Sequence, residues 1–305
     1  MRRALKPSGP SAPRTSASAF ALARDPRILY VYPGYTVFKP APRPKLEVPL
    51  TVVVVADNRD LLLDTLRSLT TLNYKNYKIV ISCTSPKHNE AISSLVRQHK
   101  RYLPDTKLIL MPSAGWDADA LNNAMHAITT EYWCWVCAGD ILHEQALAVV
   151  ADAILTKQVD CYSTCRYVMQ SNYIVRPPAL PQTISQQALW SGTDFPYSKL
   201  ITYRLGAIVK LKGFVSYDRY PGDTEWITAY RMLTSGMAIE HIPAAVYFDR
   251  MGKPIDKTTK PVEYRRALLM QRWPSKYIEE SDEEATKQLL TQVVEETGRG
   301  SQASD

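Results

Sequence analysis

Hydrophobic positions between residues 50 and 156 fall into two textures that alternate. Residues 51–56, Thr-Val-Val-Val-Val-Ala, are an unbroken and mostly β-branched run, the pattern of a strand covered on both faces. Leu61, Leu62, Leu66 and Leu69 then recur at helical spacing, and Asp60 stands where it can cap that helix. The couplet repeats three times. The pattern predicts strands over 78–82, 107–111 and 132–136, and helices over 89–102, 117–128 and 143–156. Strand and helix alternating at this spacing predict βαβ units and a parallel sheet.

Beyond residue 160 the alternation fades. The sequence predicts a loop over 176–181 and a strand running into a short helix over 198–209. A helix over 223–235, closed by Gly236, precedes a last strand over 239–248. Helical propensity returns over 262–273 and 282–297. At the other end, residues 1–49 hold nine of the 21 prolines. Each proline fixes φ and removes a backbone donor, so an irregular arm is expected there, with 28–37 extended against the body. The chain therefore divides into an arm (1–47), an α/β body (48–250) and a C-terminal helical extension with an acidic tail (251–305).

Charge sharpens that division. The net charge of +7 lies entirely in the arm, where nine Lys and Arg face two acids. The remainder carries 28 bases and 28 acids, which argues against a nucleic-acid surface on the body. The arm is the segment able to meet an anionic partner. Its Arg- and Ser-rich, acid-poor start also has the composition of an organelle-targeting segment. No apolar run approaches the ~18 residues that span a bilayer. Five cysteines are too few for a disulfide framework. Cys134 and Cys137 fall on opposite faces of the expected strand, so they read as buried small hydrophobes in a reducing compartment such as the cytoplasm.

Parallel sheets bind ligands at the carboxyl ends of their strands. That rule selects four loops: Asp57-Asn58-Arg59, Cys83-Thr84-Ser85, residues 113–116, and Cys137-Ala138-Gly139-Asp140. None is a Gly-x-Gly-x-x-Gly turn or a phosphate-cradling Walker loop, and there is no Gly-x-Ser-x-Gly elbow. Rossmann dinucleotide binding and serine hydrolysis are disfavoured.

Ordered blocks over about two thirds of the chain resemble family 2 glycosyltransferases of the GT-A fold. Residues 52–59 resemble the opening strand and its Asn-Arg turn, and 69–77 the helix end before the second strand. Residues 120–124 resemble a Leu-Asn-x-Gly helix, and 131–147 the metal-binding strand with the helix behind it. Tyr203-Arg204, Lys212-Gly213-Phe214, Gly222-Asp223, Arg231, Gly236, His241-Ile242-Pro243, Tyr247 and Arg250 follow in order. The sequence departs from the family at two places. Ser82 and Cys83 stand where two acids are usual, and of the Asp-x-Asp pair only Asp140 is present.

The resemblance implies a mostly parallel GT-A-like sheet flanked by helices. It also implies transfer of a sugar from a nucleotide-sugar donor to an acceptor hydroxyl, with inversion. Asp223 matches the catalytic base. Asp57, Asn58, Arg59, Ser82, Cys83 and Asn122 are the donor-side candidates. Asp140 is the candidate ligand for Mn²⁺ or Mg²⁺, with His241 a second candidate. Trp190 and Tyr197, with Phe195, are candidates to stack an acceptor, whether glycan, lipid carrier or modified nucleic acid. Two other readings stay open at this point: a glycosyltransferase-like module without catalysis, and another nucleotide-using transferase.

Overall fold

The computed structural model describes residues 30–31, 48–115, 117–170, 173–175, 198–215 and 224–250. A short edge strand, β1 (Tyr30–Val31), comes from the arm. The body opens with β2 (Leu50–Ala56), helix α1 (Arg59–Thr70), β3 (Tyr77–Cys83), α2 (Asn89–His99), β4 (Thr106–Ile109) and α3 (Asp117–Met125). Then follow β5 (Tyr132–Cys137), β6 (Ile141–Leu142), α4 (Ala146–Thr156), β7 (Cys161–Gln170), β8 (Tyr173–Val175), β9 (Ser198–Arg204), α5 (Leu205–Lys210), α6 (Thr224–Thr234) and β10 (Ile239–Arg250).

The strands form one sheet in the order β1-β10-β7-β9-β5-β2-β3-β4, with β6 beside β10 and β8 beside β7. β2 runs parallel to both β3 and β5, pairing Leu50 with Tyr77 and with Tyr132. β10 is parallel to β7. β9 lies antiparallel between β5 and β7. The sheet is thus mostly parallel, as expected, with β9 reversed inside it and the short strands β1, β6 and β8 reversed beside β10 and β7, which the alternation of strands and helices did not predict.

The β-branched run explains why β2 is central. All seven of its residues are buried. Val52, Val54 and Ala56 face one apolar layer with Leu62, Leu66 and Leu69 of α1, Ile92 of α2 and Val149 of α4. Val53 and Val55 face the other layer, with Leu121 of α3, Ile208 of α5 and Ile227 of α6. Each fully buried valine contributes roughly 1.5–3 kcal/mol, so this short strand anchors both layers. Cys134 and Cys137 go to opposite layers, as the strand period requires.

Several boundaries differ from the sequence reading. Asn58 caps α1, not Asp60: its side-chain oxygen accepts from the backbone N–H of Asp60 and of Leu61. α2 tightens into a 3₁₀ turn at Lys100–Tyr102. α4 starts at Ala146 rather than His143, because the His143 N–H still bonds to the Val246 carbonyl of β10 at 2.9 Å. β7 was not anticipated. Its Tyr162, Ser163, Thr164 and Cys165 are all buried, so polar and apolar positions do not alternate. The buried hydroxyls are satisfied instead: Thr164 Oγ1 donates to the Lys199 carbonyl at 2.8 Å.

Candidate active site

The chain leaves β2 through α1 toward β3 and β4, whereas β5 pairs on the other side of β2. The strand order therefore reverses between β2 and β5. A crevice outside their carboxyl ends is where such sheets take ligands. Asp57, Asn58 and Arg59 end one strand there, and Cys137 to Asp140 end the other.

At the β2 end, Asp57 is half-buried. Asn58 spends its side-chain oxygen on the cap of α1, at 2.9 Å from the Asp60 nitrogen. Arg59 is exposed and lies 3.3 Å from Asp60. Among the described residues its guanidinium is held only by a solvent-screened pair.

The β5 turn is built tightly. Gly139 has φ +104°, a conformation an L side chain rarely adopts. Its N–H donates to Thr65 Oγ1 at 2.8 Å, and that hydroxyl donates to the Asp140 carbonyl at 2.8 Å. Thr65 of α1 thereby fixes the turn from below. The Asp140 carboxylate then turns toward β10. Oδ1 accepts the Arg250 N–H at 2.8 Å, and Oδ2 accepts the Tyr247 hydroxyl. The Arg250 guanidinium reaches back to Asp64 of α1 at 2.9 Å. Burial, then the nearby Asp249 charge, push the Asp140 carboxyl up to about 7, against the pull of Tyr247, Lys199 and the Arg250 N–H.

Further charges converge on this turn from elements distant in sequence. Lys199, on β9, lies 2.7 Å from Glu225 in the first turn of α6, and its ammonium sits 5.8 Å from the centre of the Trp135 ring. Asp249 of β10 pairs with Arg166 of β7. The Cys137 thiol is held well above its ordinary value by burial, then by Asp117, Asp140 and Glu225, with Lys199 opposing. Burial alone would lower the Lys199 pKa. Glu225, Cys137 and Asp249 outweigh it, so the net shift is upward and Lys199 stays charged.

The structure gives several of the predicted residues other partners. Ser82 Oγ donates to the Ala120 carbonyl at 2.8 Å, in the interior. Cys83 is fully buried, and burial pushes its thiol up to about 11. Asn122 makes a reciprocal pair with Phe214: its amide donates to the Phe214 carbonyl at 3.0 Å and its oxygen accepts the Phe214 N–H at 2.8 Å. It fastens α3 to the turn after α5. His241 is not brought to Asp140. It is buried between Ser163 Oγ, 2.9 Å from Nδ1, and Cys165 Sγ, 3.1 Å from Nε2. Tyr247 and Arg250, which do reach Asp140, lie six and nine residues further along β10. Burial lowers the His241 pKa to about 4. His143 is buried too, its Nδ1 accepting the Gln145 N–H at 3.2 Å. Asp223, Trp190, Phe195 and Tyr197 lie outside the described residues.

Sequence reasoning missed Lys199, Glu225 and Asp249. Lys199 had one usable signal, a cation directly before the apolar pair Leu200-Ile201. Nothing in the sequence aligned it with Asp140.

Among the described residues, no three His, Cys, Asp or Glu side chains group as ligands for a metal ion. Divalent cations of the Mg²⁺ kind take several oxygen ligands. The β5 turn offers one carboxylate, and both of its oxygens already accept hydrogen bonds. The described residues do not fit a protein-built divalent metal site.

Comparison with known proteins bears on the fold. TarS 1–349 of S. aureus, solved with UDP-GlcNAc, superposes with a TM-score of 0.60 at 13% identity, over 81% of this chain and 72% of that one. The mannosyltransferase PcManGT of Pyrobaculum calidifontis, solved with GDP-Man and Mn²⁺, gives a TM-score of 0.52 at 16% identity, over 84% and 68% of the two chains. A comparison with curated protein sequences finds no match. The fold is that of the GT-A glycosyltransferases. Residues 48–194 match the family described as Glycosyltransferase like family 2. This segment, just under half of the chain, is what makes it similar to family 2 glycosyltransferases.

Proposed function

We propose that the chain transfers a sugar from a nucleoside diphosphate sugar to an acceptor hydroxyl, with inversion at the anomeric carbon. The observation that carries this reading is the reversal of strand order between β2 and β5, whose carboxyl ends bear the Asp57 loop and the Asp140 turn, with the Lys199–Glu225 pair at the neighbouring end of β9. The bound UDP-GlcNAc and GDP-Man of the two structural neighbours support the donor class.

In this reading the acceptor oxygen attacks the anomeric carbon and the bond from that carbon to the phosphate oxygen breaks. The nucleoside diphosphate leaves with the electron pair. The acceptor proton goes to the carboxylate of Asp223. Support for Asp223 comes from its place in the chain. It directly precedes α6, and Glu225 of α6 pairs with Lys199 beside the Asp140 turn. A base so placed is worth ~10²–10⁴ in rate. Asp57 is the candidate contact for the donor base, with Arg59 free to swing toward a phosphate. Trp190 and Tyr197 remain the candidate acceptor platform. Acceptor chemistry stays open among glycan, lipid carrier and modified nucleic acid, and the basic arm is the candidate contact for an anionic acceptor. Among the described residues no helix is long and apolar enough to cross a membrane.

A second reading is favoured by the engaged carboxylate of Asp140: a module that binds nucleotide sugars without turning them over. Thermal stability against a panel of nucleotide sugars, followed by nucleotide release with mixed acceptors, separates the two. Transfer that is lost in Asp223→Asn while donor binding persists supports the enzyme. Donor binding with no release from any sugar nucleotide, in water or with acceptors, supports the module. No binding at all overturns both.

A further inference from the structure

We propose that Lys199 is the cation that meets the donor's diphosphate, in the charge-neutralising place that a divalent metal takes in related sites. This rests on the proposed donor class.

Lys199 is the second residue of β9, which runs antiparallel to β5, so this end of β9 lies at the carboxyl end of β5. It pairs in register with Thr164, and continuing the β5 ladder from Cys134↔Thr202 sets Lys199 opposite Cys137. It therefore stands beside the Asp140 turn, at the place where leaving-group charge would develop.

A lysine ammonium has three donors. Among the described residues Lys199 has one hydrogen bond, to Glu225, and rests near the Trp135 ring. Its side chain is only 15% exposed, so water reaches the remaining donors poorly. Arg166 pairs with Asp249 and Arg250 with Asp64, and each keeps a buried Nε without a partner among the described residues. Lys199 differs from them in its place on β9 beside the end of β5.

Leu200, the next residue, has φ +44° although it is a buried, non-glycine residue. That region is uncommon for leucine and strained. The β7–β9 register also shifts between Tyr162 and Thr164, opposite this segment. Such irregularities re-aim a side chain, and here the side chain affected is Lys199.

The acids of the turn agree. Where family 2 sequences carry an Asp-x-Asp pair, Cys137-Ala138-Gly139 stands in this chain and Asp140 follows, fastened to Tyr247 and Arg250. A fixed lysine stabilises the departing charge as a point charge, with no proton transferred.

The test is calorimetric binding of UDP, GDP, ADP, CDP and dTDP, each against its own nucleoside, first in EDTA and then with Mn²⁺. The wild-type chain is expected to prefer at least one diphosphate over its nucleoside by about tenfold or more in EDTA, as charge-assisted hydrogen bonds allow. Lys199→Met removes that preference and leaves nucleoside affinity unchanged, whereas Lys199→Arg keeps most of it. Lys199→Met strands Glu225, so Lys199→Met/Glu225→Gln removes both charges and guards against misfolding. The double variant must lose the same preference. A diphosphate preference that appears only with Mn²⁺, or that survives in the folded double variant, overturns the role of Lys199 and leaves the donor reading standing. No binding of any nucleotide or nucleoside to the wild type overturns the donor reading, and this inference with it.

Discussion

Tyr247 of β10 donates its hydroxyl hydrogen to the carboxylate of Asp140, a residue 107 positions earlier in the chain. Both side chains are buried, Tyr247 at 1% exposure and Asp140 at 6%. The bond joins the last strand to the turn after β5, two parts of the sheet separated by β7 and β9 in the strand order. It makes the shape of the candidate site depend on β10. Tyr247→Phe leaves Asp140 Oδ2 without that donor, and a buried unsatisfied acceptor costs ~1–3 kcal/mol. The Tyr247 hydroxyl also holds the Asp140 pKa down. Its loss therefore raises that pKa further, and the destabilisation is larger at pH 8, where Asp140 is ionised, than at pH 5. Urea unfolding at the two pH values checks this. Equal losses at both would mean that the hydroxyl does not serve the ionised carboxylate.

Asp140 and His241 give opposite pH dependences over nearly the same range. The Asp140 pKa rises on folding from 3.8 to about 7. Between those values the folded chain holds more protons than the unfolded one, so this contribution is full below pH 3.8 and is lost as pH rises to 7. The His241 pKa falls on folding from 6.5 to about 4, through burial. Its contribution is full above pH 6.5 and is lost as pH falls toward 4. Each amounts to on the order of 3 kcal/mol, and in the wild type the two slopes largely cancel between pH 4 and 6.5. Asp140→Asn is expected to expose the His241 slope, with stability rising with pH. His241→Gln is expected to expose the Asp140 slope, with stability falling. Denaturant midpoints at half-unit pH steps measure both, and parallel profiles for the two variants would rule the assignment out.

The parts of the fold that were legible in sequence share one property, local periodicity. Residues 51–56 could only be a strand buried on two faces, and the leucines after Asp60 could only be one helix face. β7 was illegible because Ser163 and Thr164 are buried with hydroxyls satisfied by His241 and by the Lys199 carbonyl. No pattern within ten residues encodes partners that lie 78 and 35 residues away. The site divides the same way. Asp57 and Asp140 could be found because strand ends are predictable. Lys199, Glu225 and Asp249 come together through the sheet order, which sequence alone did not supply. The same contacts explain why His241, an apparent ligand in sequence, serves as a core residue.

Thiol chemistry gives a separate check on burial. Cys83, Cys134, Cys161 and Cys165 are buried, and Cys137 is partly so. Burial pushes Cys83 up to about 11 and Cys134 to about 12, and holds Cys137 and Cys161 well above the ordinary range. Only the thiolate reacts with disulfide reagents. The native chain at pH 8 is therefore expected to modify these four cysteines no faster than it unfolds, with all five reacting promptly in urea. Rapid native labelling confined to Cys137 would show that the crevice opens to it and that its thiol ionises more readily than its surroundings indicate.

Asn122 and Gly213 provide a test of whether the turn after α5 is held by packing. Gly213 has φ +83°, and a Cβ built on it would lie 2.6 Å from Asn122 Oδ1. Asn122 cannot easily withdraw, because its oxygen accepts the Phe214 N–H and its amide donates to the Phe214 carbonyl. Arg231 holds the same turn from α6, donating to the Gly213 carbonyl at 2.6 Å. Gly213→Ala therefore carries two penalties, a backbone one of ~1 kcal/mol or more from the positive φ and a steric one from Asn122. Asn122→Ala loses the two bonds to Phe214, roughly 1–3 kcal/mol, but removes the obstacle. The double variant is expected to be more stable than the two single losses would sum to, by about 1 kcal/mol or more, as contacting residues couple. Urea unfolding of the four proteins measures the coupling. Strict additivity would mean that the Asn122 side chain moves aside without cost, and that Arg231 alone fixes the turn.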